Sequence, residues 1–124
     1  MWQVIGLIVF LYFLTIIIWS CQTFDDLVRL EYDTHRTMWE KDGRPNGFFW
    51  RAPENQSLRI PSDSEWFKWA FNQATGKWLL STPKWIRDDA EAVRLVRRYR
   101  TLTFLLFASL VVPIIAAAIL VTSR

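Results

Sequence analysis

Two stretches without a single charge open and close this chain. Trp2 to Trp19 reads WQVIGLIVFLYFLTIIIW, and Leu102 to Val121 reads LTFLLFASLVVPIIAAAILV. At 1.5 Å per residue the first places its two Trp roughly 26 Å apart, close to the apolar thickness of a bilayer. Trp favours the headgroup boundary, so Trp2 and Trp19 read as belt anchors. The second stretch is as long, and Pro113 inside it is tolerable in a membrane helix. The pattern therefore predicts transmembrane helices over 2–19 and 102–121, with a polar region over 20–101 between them. A cleaved signal peptide would need a basic segment before the apolar run and small residues at the cut site. No Lys or Arg precedes the run, and Trp19-Ser20-Cys21-Gln22-Thr23-Phe24 offers a poor cleavage site, so an uncleaved anchor is expected.

The polar region has its own helical signals. Phe24, Leu27 and Val28 continue a helical spacing past the first span, with no Gly or Pro until Gly43. Lys41-Asp42-Gly43-Arg44-Pro45-Asn46-Gly47 ends it. Ser62-Asp63-Ser64-Glu65 fits a capping box and predicts a short helix over about 63–75, stopping at Gly76. Ser81-Thr82-Pro83 starts another helix. Nothing after Lys84 interrupts it, so a long helix from about 83 should feed directly into the second span. The expected fold class is an all-α membrane protein. Two terminal transmembrane helices carry cytoplasmic helical extensions, with a small aromatic-rich helical domain between them.

Charge placement sets the expected orientation. All twelve acids and fourteen of the fifteen Lys and Arg lie between Asp25 and Arg100, and the net charge is +3. Arg94, Arg97, Arg98 and Arg100 stand directly before the second span, and basic residues beside a span mark its cytoplasmic end. The middle is thus expected in the cytoplasm, with both termini outside. The same Arg cluster, with Trp2 and Trp19, forms a candidate surface for membrane lipid headgroups. Its alternative reading is the topology signal alone.

Eight Trp and nine Phe among 124 residues supply a second surface. Phe48, Phe49, Trp50, Trp66 and Trp69 are candidates for interaction, because so short a middle region can bury only a modest core. The alternative is that the aromatics are that core. Inside the membrane, Gly6 and the small residues Ala116 and Ala117 are helix-packing candidates. They lie at matching depth in antiparallel spans, so Gly6 is expected to pack on Ala117 or its immediate neighbours; the alternative is that the spans lie apart there and the alanines face a partner subunit or lipid.

Chemistry is argued by exclusion. The chain has one His and one Cys, His35 and Cys21, outside any metal-ligand spacing. No phosphate-binding loop, dinucleotide fingerprint or nucleophile elbow occurs. Neither span carries the ionisable groups that proton relays and ion paths need, apart from Tyr12. No catalytic residue, cofactor or metal is expected. Acids interleaved with the bases argue against a nucleic-acid partner.

Gly47-Phe48-Phe49, the VRR-type run Val96-Arg97-Arg98, and the layout of a span at each end of a polar middle carry a family resemblance. The chain resembles universal stress protein B, a family of small bacterial inner-membrane proteins. It departs from that pattern in extra residues between Ile60 and Pro83 and in a glycine cluster reduced to Gly43 and Gly47. The resemblance implies a stress-associated, non-enzymatic protein of the bacterial inner (plasma) membrane, acting through contacts with lipids, with other membrane proteins or with itself. The alternative is an accessory subunit of a larger respiratory or photosynthetic membrane complex.

Overall fold

The computed structural model describes residues 1–55 and 73–123. The expected helix over 63–75, and with it Trp66 and Trp69, lies outside the described residues except for its last three positions. The elements are α1 (Trp2–Thr34), α2 (Arg36–Lys41), a 3-10 turn (Pro53–Asn55), α3 (Gln73–Leu80), α4 (Lys84–Arg87) and α5 (Ala90–Thr122). No strand occurs among the described residues, and the all-α expectation holds at that level. Both α1 and α5 have 33 residues and are long and apolar enough to cross a membrane. Each spans roughly 50 Å.

The two helices divide by burial. No residue of 1–15 and none of 103–123 is buried. The packed part is the other half of each helix. On α1 Phe24, Leu27, Val28 and Glu31 are buried, and on α5 Ala92, Leu95, Val96, Tyr99 and Leu102. Both sets recur at three and four residues, so each forms one stripe, and the stripes face each other. Trp78 of α3 and Trp85 and Ile86 of α4 complete the cluster. Phe24 is its hub, with ring centroids 5.3 Å from Phe48, 5.4 Å from Trp78 and 5.5 Å from Tyr99. Aromatic pairs at these separations are favourable beyond their buried area.

Three expected boundaries are corrected. The first helix does not run unbroken to Gly43: it stops at His35, whose φ of −124° and ψ of 50° leave the helical region. Tertiary contacts redirect the chain there. The His35 ring lies 2.9 Å from Asp89 Oδ2 and 4.9 Å from the Trp85 ring centroid. The long helix from Pro83 is likewise broken. Lys84–Arg87 is a separate turn, and Asp89 caps α5 by accepting from the amides of Glu91 at 3.0 Å and Ala92 at 3.3 Å. Finally, Gly76 does not stop a helix, because α3 runs through it to Leu80. A glycine inside a helix costs about 1 kcal/mol, less than the anchoring of buried Trp78 two residues later contributes. Replacing Asp89 with Ala removes the cap and the partner of His35. It should cost about 1–2 kcal/mol, read as a lower melting temperature in detergent.

The expected closure of the hairpin is also corrected. Gly6, Ala116 and Ala117 are exposed, and a Cβ added at Gly6 would meet nothing within 4 Å. Closer to the packed halves, α1 and α5 do meet: the Tyr12 hydroxyl lies 3.3 Å from Ser109 Oγ, and Phe13, Leu106 and Ala108 are half-buried. Small residues permit close approach of helices but supply little attraction themselves.

Candidate functional site

The most chemically distinctive surface lies where the packed halves of α1 and α5 give way to the exposed apolar halves. On α5, Arg94, Arg97, Arg98 and Thr101 follow one another at intervals of three, one and three residues, so they share a face. On α1, Trp19 reaches the same level, and the Arg98 guanidinium carbon sits 4.6 Å from the centroid of its ring. Between them runs an open groove of about 450 Å³, lined by Trp19, Val93, Arg94, Arg97, Arg98 and Leu102 among others. Its walls are therefore cationic and its floor apolar.

The four arginines expected to act together do not. Arg94 is held by Glu91 through two bonds, Nε to Oε2 at 3.0 Å and Nη2 to Oε1 at 2.5 Å. Those bonds keep the Glu91 carboxyl below its ordinary range. Arg100 does not line the groove, and its donors are already engaged by the protein. Its Nε donates to the Trp78 carbonyl at 2.8 Å, and its Nη2 to the Ser81 carbonyl at 2.8 Å and Thr82 Oγ1 at 2.9 Å. It satisfies carbonyls at the end of α3 and straps that helix to α5. Arg100→Gln should destabilise the fold by about 2 kcal/mol without weakening any surface contact, as measured by thermal melting. Arg97 is exposed, and its side chain makes no hydrogen bond or ion pair among the described residues. Trp2 is at the opposite, exposed end of α1 and has no part in the groove.

The aromatic candidates also separate. Phe48 is half-buried against Phe24, and Trp50 is half-buried with its ring centroid 5.3 Å from that of Tyr32. Phe49 alone of the three points outward, 68% exposed. What arranges them is Asp25, which the sequence reading passed over. Its carboxylate accepts from the amides of Phe48 at 2.5 Å, Phe49 at 2.8 Å and Trp50 at 3.0 Å. Burial pushes its pKa up, and the three amides pull it partly back. An acid following apolar Phe24 at the end of a span, where a helix enters water, carries no sequence signal for this clasp.

A third group lies inside. Glu31 is fully buried, and among the described residues its oxygens find no hydrogen-bond donor and the buried indole nitrogens of Trp78 and Trp85 find no acceptor. Nearby Asp42 pairs with Lys77 at 2.9 Å. Cys21 lies within α1 and His35 just past its end, about 20 Å farther along the axis, so the fold does not bring them together. No cluster of three or more metal-ligating side chains occurs among the described residues.

No protein-family model, curated protein or solved structure matches the chain.

Proposed function

We propose that this chain is a non-enzymatic, two-span membrane protein that acts through lipid and protein contacts. Its middle region lies on the cytoplasmic side and both termini lie outside. The observation that carries this reading is the partition of burial along α1 and α5. In the most apolar 18-residue window of each helix only 11% and 0% of residues are buried, while the polar halves form the core. Apolar surface of that extent is stable only against lipid or another protein. The resemblance at Gly47-Phe48-Phe49 and Val96-Arg97-Arg98 supports placing it in a bacterial inner membrane with a stress-associated role.

The test is extraction followed by thiol labelling. The protein should stay in the membrane through an alkaline carbonate wash. Cys21 is a slow reporter, since burial and then the Asp25 charge push its thiol pKa up. A Phe49→Cys variant in a Cys21→Ser background offers an exposed thiol instead. An impermeant maleimide should label it only after permeabilisation. Labelling of intact cells would reverse the orientation, and release by carbonate would end the membrane reading.

The accessory-subunit reading is favoured by the exposed small residues Gly6 and Ala116 to Ala118, a face suited to a neighbouring helix. Comigration of the gently solubilised protein with a larger complex on native gels would establish it. Migration as a small species supports the first reading.

A further inference from the structure

We infer that the groove beside Trp19 is a binding site for the phosphodiester headgroup of an anionic phospholipid, with Arg97 and Arg98 as its two ligands. The inference rests on the membrane reading above and adds to it a site and a ligand chemistry.

Arg98 sits over the Trp19 ring, its guanidinium carbon 4.6 Å from the centroid. A cation held over a ring in this way spends none of its N–H donors on a protein oxygen. No hydrogen bond or ion pair engages the Arg98 side chain among the described residues. The Arg97 side chain, one position back, is equally unengaged. Two planar forks with free donors on adjacent positions fit the geometry of phosphate oxygens. Arg94 differs, since Glu91 already occupies its fork at 3.0 and 2.5 Å. Arg100 differs too, since three protein oxygens take its donors.

The position of the groove selects a lipid over other anions. Its floor includes Val93 and Leu102, and Leu102 begins the charge-free stretch of α5. Trp19 ends the charge-free stretch of α1. Both helices therefore pass from polar to apolar surroundings at this level, where phosphate groups of a bilayer lie and acyl chains start. A soluble phosphate would gain nothing from the apolar floor. A topology signal alone would need the charges but not the seating of Arg98 over Trp19.

The experiment uses the full-length protein in detergent, titrated with phosphatidylglycerol or phosphatidylcholine and read by native mass spectrometry. The wild type should retain phosphatidylglycerol on the order of tenfold more than phosphatidylcholine. Arg97→Gln with Arg98→Gln should bring the two lipids level, while Arg98→Lys should retain part of the preference. Glu91→Gln, which frees the Arg94 fork, should strengthen retention. Equal retention of both lipids by the wild type overturns the site. So does an unchanged preference in the double variant. Displacement of bound phosphatidylglycerol by millimolar inorganic phosphate would assign the groove to a free phosphate ion. Carbonate resistance of each variant is measured alongside. A protein that stays in the membrane but shows no lipid preference fails this inference alone, whereas one that washes out fails the membrane reading itself.

Discussion

Replacing Glu31 with Gln should stabilise the protein, and the gain should grow with pH. Glu31 is fully buried, and as a carboxylate it finds no donor for either oxygen among the described residues. Burial, then a hydrogen bond to Asp42 and the Asp42 charge, raise its pKa from the ordinary 4.5 to about 9, with Lys77 opposing. At neutral pH it is therefore a neutral acid that keeps its proton and donates a hydrogen bond to Asp42, whose own charge Lys77 balances at 2.9 Å. A carboxyl with a raised folded pKa supports the fold fully below its unfolded pKa. That support erodes as pH rises from about 4.5 and is gone above about 9. Holding the proton at pH 7 costs on the order of 3 kcal/mol, from the 1.36 kcal/mol carried by each pKa unit. Gln keeps the shape and an N–H donor for Asp42 without that cost. Glu31→Gln should gain on the order of 2–3 kcal/mol at pH 7, more at pH 9, and almost nothing near pH 4. Urea unfolding in micelles across that range, followed by Trp fluorescence, measures the gap. Parallel curves for the two proteins would show that Glu31 titrates normally.

The reach of the sequence follows from what each residue depends on. The two apolar helices depend only on local composition and periodicity, and they were legible. The facing of α1 on α5 and the seating of Arg98 over Trp19 were not, because each joins positions far apart in the chain. Arg100 was misread for the same reason. Next to Arg97 and Arg98 it looks like a third member, but its donors answer to carbonyls at Trp78 and Ser81, which the fold brings from 22 and 19 positions away. The break at His35 has the same origin, since it is tied to Asp89 across 54 positions. The cap at Asp89 was written locally, in an Asp two residues before Glu91, but the stronger start at Pro83 masked it. Gly6 and the alanines failed because small residues say where helices can approach, not where they do.

The clasp at Asp25 should be the least forgiving point of the fold, and Gly47→Ala should break it. A Cβ at Gly47 would overlap Asp25 Oδ1, stand 2.5 Å from its Cγ and lie 3.1 Å from its Cα. The Cα belongs to the backbone of α1 and cannot give way as a side-chain tip could. The carboxylate cannot swing aside freely either, because it holds the amides of Phe48, Phe49 and Trp50. The loop must therefore lift, losing hydrogen bonds to a charged, largely buried acceptor and the packing of Phe48 on Phe24. Bonds of that kind contribute about 1.5–3 kcal/mol each, and they are lost together here, so a total loss on the order of 3–5 kcal/mol is expected. Trimming the acid separates steric overlap from any other effect of the alanine. Asp25→Ala alone should destabilise by a similar amount, since it abandons three part-buried amides. Adding Gly47→Ala to it should cost clearly less than it does in the wild type, because the overlapping oxygen and carboxyl carbon are then gone and only the 3.1 Å approach to the Cα remains. Additive losses in that double-mutant cycle would mean that Gly47 serves the turn for a reason other than its approach to Asp25.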